Sequence, residues 1–193
     1  MNPTTSGTFR VLDSPRADGE RLLLDVETHD PTYVAVDDAA ESLLPGYLLD
    51  ATLEWVEGEP ELSTVSVRES TLFAFADGVT NLFEAGTEAC REARTEGVAS
   101  DVTRSTDGDV NGALYAFAEQ GGERDLFEEF RTGVRPLEPL LQRAAEGADG
   151  PQEVFVLRPA DAPCVVVYIV LQKASMLADT VRDTYDCPRP DEP

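Results

Sequence analysis

The chain holds one histidine, three cysteines and one lysine, and these few side chains bound the chemistry open to it. His29 stands in ETHDP beside Asp30. A His-Asp pair serves as a metal-ligating element in phosphohydrolases, but such a site needs further histidines and the sequence has none. A Ser-His-Asp triad would have to use His29, and no G-x-S-x-G elbow accompanies it. Cys90, Cys164 and Cys187 are widely spaced, with no C-x-x-C, so their spacing predicts neither a disulfide framework nor a zinc site. Cys90 and Cys164 fall in apolar patterns and are expected to behave as small hydrophobes, with Cys187 exposed near the end of the sequence. G-x-G-x-x-G and G-x-x-x-x-G-K-[ST] phosphate loops are absent, and Gly121-Gly122 reads as a turn. Paired acids such as Asp37-Asp38 and Glu128-Glu129 have the right chemistry for Mg²⁺ or acid–base work. With 38 acidic residues such pairs arise everywhere, so a solvated surface explains them. No catalytic residue, metal site or cofactor is expected.

The single lysine, Lys173, closes PCVVVYIVLQK and is followed by Ala174 and Ser175. A strand ends there and a helix begins, which is where ligands meet backbone N–H groups in α/β layers. Lys173 and Ser175 are therefore candidate ligand-binding residues. The amine has two readings. It serves a carboxylate, a phosphate or a Schiff base, or it snorkels to pair a neighbouring carboxylate. A second set of candidates, Arg10, Arg21, Tyr33 and Arg68, lies on the N-terminal segment and suits nucleic acid by charge and stacking. Tyr47 and Trp55 share the apolar face of one strand and belong to a core instead. No RNP-like aromatic pattern and no DNA-binding signature appears.

The elements that must position these residues follow from periodicity. Residues 7–68 read as five short strands, GTFRVLD, ERLLLDV, TYVAV, YLLDATLEWV and ELSTVSVRE, separated by Gly, Pro and Asp turns. Five strands without a helix predict a small antiparallel barrel, OB-like in kind. After residue 70 come a strand (TLFAFAD), a helix over about 80–96, two strands across Asp107-Gly108, and a helical region over about 123–146. That region carries Gly133, Pro136 and Pro139, which predict a break near 132–136. QEVFVLRP and PCVVVYIVL follow as strands, then a helix over about 174–186. The order β-α-β-β-α-β plus an extra β-α matches a ferredoxin-like α+β unit. The domain reading is 1–69 for the β segment, 70–187 for the α+β unit and 188–193 as a frayed tail. Both parities of Cys164–Leu171 are apolar, as expected for a strand buried on both faces.

Composition sets the milieu. Fifteen basic against 38 acidic residues give −23, and hydrophobic residues make up 41%, enough for a real core. Depleted lysine with abundant Asp and Glu, spread along the chain, reads as adaptation to molar salt. There the Debye length falls to roughly 3 Å and carboxylate repulsion costs little. No signal peptide is visible in MNPTTSGTFR, and CVVVYIVL is too short to span a bilayer. The expectation is a soluble, cytoplasmic protein in a reducing compartment with no membrane partner.

The acid-rich, lysine-poor composition, the β segment running to PGYLLDATLEW, and TLFAFADGVTNLFEAG leading into a helix resemble a haloarchaeal family of uncharacterised proteins. The resemblance covers most of the chain. It implies a source and a cytoplasmic life, and it carries over no activity and no site residues. The residues themselves point to a binding or adaptor protein without catalysis, contacting RNA, protein or a nucleoprotein assembly. The alternative is an enzyme or small-ligand-binding domain using Lys173.

Overall fold

Seven consecutive apolar residues, Cys164–Val170, form the central strand of a five-stranded sheet, and all seven are buried. A computed structural model describes residues 1–122 and 124–193. The chain order is β1 (Thr4–Asp13), β2 (Glu20–Asp25), β3 (Pro31–Ala35), β4 (Leu48–Val56), β5 (Glu59–Glu69), β6 (Leu72–Val79), α1 (Glu84–Glu96), β7 (Val98–Arg104), β8 (Val110–Ala118), α2 (Leu126–Arg131), α3 (Glu138–Ala145), β9 (Glu153–Pro159), β10 (Cys164–Val170) and α4 (Met176–Tyr185). The fold is mixed α+β, with two sheets and four helices among the described residues.

β10 divides its side chains by parity between two cores, as a strand with a period of two must. Cys164, Val166, Tyr168 and Val170 pack against Ala89 and Ala93 of α1 and Ala178 and Val181 of α4. Val165, Val167 and Ile169 face the other way, onto Phe127 and Phe130 of α2 and Leu141 of α3. Leu12, Leu22 and Leu24 of the N-terminal sheet join that second core. Each buried valine or isoleucine contributes roughly 1.5–3 kcal/mol, so this strand alone gathers much of the hydrophobic stabilisation.

The N-terminal sheet has the order β3-β2-β1-β4-β5, every neighbour antiparallel. It corrects the barrel expectation. The sheet curls until β3 and β5 come within 8 Å between Cα atoms, yet no ladder joins them. The reason lies in DDAAESLLPG, which does more than turn the chain. Ala40 and Leu43 are 0% and 1% exposed and fill the concave side together with Val11, Leu23, Leu49 and Leu53. With its interior plugged by a loop, the sheet is capped without closing.

The second sheet runs β6-β9-β10-β8-β7 and differs from the ferredoxin-like expectation. β6 and β7, expected as the parallel pair flanking a helix, lie at opposite edges, and α1 carries the chain across the sheet between them. A split βαβ unit is present elsewhere. β8 and β9 run in the same direction, with antiparallel β10 between them and α2 and α3 in the crossover. The most apolar strand takes the most enclosed position, displacing β6 to the edge. The helical break falls where Gly133 and Pro136 place it, between Arg131 and Glu138; the expected start of that region at residue 123 lies outside the described residues. Gly133 has φ +76°, and a Cβ there would approach Leu12 Cδ1 to 3.0 Å.

Three further expectations are corrected. Cys90 of α1 and Cys164 of β10 form a disulfide, 74 residues apart with Cα atoms separated by 5.9 Å. Sequence spacing hides this, because the pair meets only when α1 lies across the sheet. Cys187, expected exposed, is 7% exposed, and burial pushes its thiol pKa up. Arg10, expected on a nucleic-acid surface, is 5% exposed. Its Nε and Nη2 donate to Glu138 at 2.9 and 2.8 Å, and its Nη1 donates to the Gly46 carbonyl at 2.8 Å. This pair ties β1 to the first turn of α3, where the helix dipole also favours a carboxylate.

Closing a loop of 74 residues stabilises the folded state by about 4 kcal/mol in the chain-entropy account. Denaturant unfolding of the reduced protein, or of a Cys90→Ala/Cys164→Ala variant, is expected to show a loss of that order. Breaking the buried pair by Glu138→Ala is expected to cost about 3–5 kcal/mol, because Arg10 is left charged and unpaired. Arg10→Met/Glu138→Leu should recover most of that loss. Equal loss in the single and double variants would show that the pair is not what holds α3 to β1.

Candidate functional site

The junction from β10 to α4 gathers the polar groups that the cores exclude. Leu171 is still buried, Lys173 donates its backbone N–H to the Pro151 carbonyl at 3.0 Å, and Ala174 takes a left-handed φ of +56°. That turn presents the Ala174 N–H to Glu153 Oε2 at 2.7 Å. Ser175 is the N-cap of α4, its Oγ accepting from the Ala178 N–H at 3.2 Å. Its hydroxyl therefore has a structural task at the position where ligand binding was expected.

The Lys173 amine lies at the convergence of three groups. Nζ donates to the Ser70 carbonyl at 2.6 Å, pairs with Glu192 Oε1, and sits 5.8 Å from the centroid of the Tyr47 ring. The Tyr47 hydroxyl donates to the same Glu192 oxygen at 2.8 Å. Burial, then the hydrogen bond and charge of Glu192, push the Tyr47 pKa up to about 12. Burial also opposes ionisation of Glu192. The hydrogen bonds from Lys173 and Tyr47 and the charges of Lys173 and Arg189 outweigh it and hold the carboxyl below its usual range.

Glu153 is the buried hub beside this arrangement. It is 0% exposed and opens β9. Oε1 accepts from Arg182 Nε at 2.6 Å and lies 2.9 Å from Arg189 Nη1. Arg189 also donates to Asp179 at 2.7 Å. The segment 188–193, expected to fray, has no regular backbone structure but is pinned by Arg189 and Glu192. Arg182 Nη2 and Arg189 Nη1 are buried without a hydrogen-bond partner.

A second ion-pair hub stands at the opposite end of the sheet. Arg158 forks onto Asp77 at 2.7 and 2.6 Å, reaches Asp125 at 2.7 Å, and lies 4.8 Å from the Phe127 ring centroid. The hydrogen bonds from Arg158 lower the Asp77 pKa. Of the remaining candidates, Arg21 donates to the Leu43 carbonyl at 2.9 Å, and Tyr33 lies half-buried under the Arg16 guanidinium at 4.4 Å. Arg68 is exposed, 3.6 Å from Asp50. Only Lys173 and Ser175 are brought together with further convergent polar groups. His29 occupies a left-handed turn, and no cluster of three metal-ligating side chains occurs among the described residues.

Sequence reasoning missed Glu153, Arg182 and Glu192. Glu153 carried a signal: a carboxylate at the head of the apolar strand EVFVLRP demands a cation inside the fold. A cleft of about 640 Å³ opens beside the junction, with Lys173, Ser175, Asn111, Pro151, Leu171 and Met176 on its walls.

No helix among the described residues is long and apolar enough to cross a membrane. No curated protein and no solved structure matches the chain. Residues 1–190 match one family throughout, so the chain, both sheets and the Lys173 junction included, belongs to DUF6663, a family of unknown function.

Proposed function

We propose that the protein is a salt-adapted cytoplasmic binding or adaptor protein that performs no catalysis, with a haloarchaeal cell as its source. The observation that carries this reading is that Lys173 and the arginines and carboxylates gathered around the sheet are engaged by partners within the chain. Lys173 is taken by Glu192 and Ser70, Arg10 by Glu138, Arg158 by Asp77, and Glu153 by Arg182.

Among partners, a polypeptide is favoured over RNA. Arg10 and Arg21 are spent on internal carbonyls and carboxylates, which leaves Arg68 and Tyr33 without the basic stripe that tracks a phosphate backbone. The disulfide adds a condition on the compartment, which must let a buried Cys90–Cys164 bond persist. Capture of the tagged protein from native lysate in about 2 M KCl, with and without ribonuclease, separates the classes. A protein partner retained after ribonuclease supports this reading, and a partner lost with the RNA overturns the polypeptide preference.

Salt dependence follows from the net charge of −23. As KCl falls from molar to about 0.1 M, the Debye length grows to about 10 Å and carboxylate repulsion returns. The melting temperature is expected to fall across that series. A flat or rising melting temperature at low salt would refute adaptation to molar salt.

A further inference from the structure

Lys173 Nζ and Tyr47 Oη converge on a single carboxylate oxygen, and the carboxylate comes from the least regular segment of the chain. We propose that Lys173 and Tyr47 form a carboxylate-binding site which Glu192 occupies in cis, and that an organic carboxylate exchanges with Glu192 there. This deepens the binding-module reading and rests on it.

The donors are held from rigid elements. Lys173 is fixed by its amine on Ser70, by its backbone on Pro151 and by the neighbouring left-handed Ala174. Tyr47 opens onto β4 directly after Gly46, whose φ is +103°. A Cβ at Gly46 would meet the Phe73 nitrogen and Thr71 oxygen at 2.6 Å, so only glycine fits against that backbone. The acceptor is held differently. Pro188, Pro190 and Pro193 have no N–H to give, and Glu192 is anchored through its side chain. Donors that stay and an acceptor that can leave are what exchange requires.

The charge balance agrees. Lys173, Arg182 and Arg189 stand against Glu153, Asp179 and Glu192, three cations to three anions. Withdrawal of Glu192 leaves one positive charge uncompensated in a chain that is otherwise strongly acidic. One monoanionic carboxylate restores the balance. Lys173 also stands on the wall of the cleft of about 640 Å³, whose lining takes in neither Tyr47 nor Glu192. The chemistry recognised is a carboxylate, from a free organic acid or from an acidic polypeptide.

Lys173 is the single lysine, so acylation of amines reads the site directly, with the N-terminal amine as internal reference. The full chain in about 2 M KCl at neutral pH is treated with an acetyl ester and analysed by mass spectrometry. Glu192→Ala is expected to raise Lys173 acylation relative to the N-terminal amine by roughly ten-fold, as for loss of one charge-assisted hydrogen bond. Hexanoate, or the peptide acetyl-Pro-Asp-Glu-Pro-amide, is then expected to restore protection, while hexanol does not. Protection by hexanoate identifies a small acid as the source, and protection by the peptide alone identifies a polypeptide. Glu192→Gln, which keeps the shape of the side chain, repeats the measurement should the alanine variant misfold. Equal labelling in wild type and variants, or no protection by either carboxylate, overturns the inference and leaves the binding-module reading standing. Rapid selective labelling of Lys173 in the wild type, ahead of the N-terminal amine, overturns that reading as well.

Discussion

A strand apolar on both parities cannot rest at the edge of anything. β10 must be covered on two faces and along two sides, and the layers of the molecule answer that requirement. β8 and β9 take its sides, α1 and α4 one face, α2 and α3 the other. Because α2 is only six residues long and α3 eight, they do not complete their layer alone. The outer residues of the N-terminal sheet, Leu12, Leu22 and Leu24, finish it. The curled sheet is thus part of the cover over β10, and it contributes Arg10 to the same interface.

Inside that packing, carboxylates are matched almost wholly by arginine. A buried carboxylate offers two oxygens in one plane, and the guanidinium fork meets both. Arg10 does this for Glu138, and at the exposed end of the sheet Arg158 forks in the same way onto Asp77. A lysine in either place would satisfy one oxygen and leave the other short. Lys173 faces a different set of acceptors: a carbonyl, one carboxylate oxygen and an aromatic face, arranged around a point charge. The ammonium suits that geometry, which gives a physical reason for an amine there in a chain that uses arginine at every other basic position.

Much of the fold was legible before any coordinates. The five N-terminal strands, the break at Gly133 and Pro136, and the two-faced burial of β10 follow from alternation, turn residues and apolar runs, which are local signals. Strand order is not local. β6 at the edge and β10 between β8 and β9 depend on competition among strands for the most enclosed place. The same limit applies to Cys90 and Cys164. Each is correctly read as lying on an apolar face, yet their meeting depends on α1 packing over β7, β8 and β10. At the site, Lys173 was visible as the one amine at a strand end. Its partners were not, since Ser70 and Glu192 come from 103 and 19 residues away and act through a carbonyl and an irregular segment.

The contrast between Glu153 and Glu192 separates structural from exchangeable charge in one small region. Both carboxylates accept from cations at the β10–α4 junction. Glu153 is built into β9, is wholly buried, and binds the Ala174 N–H that shapes the turn, so its removal would dismantle the junction. Glu192 is part-exposed and lies on a segment whose prolines keep it out of any ladder. Only the second can withdraw without unmaking a strand. Glu153, the firmer acid of the junction, is already matched by Arg182 and Arg189. The amine pairs instead with a carboxylate on a segment outside any ladder, and this choice of partner is the physical basis for reading the Lys173–Tyr47 pair as a site rather than as another structural ion pair.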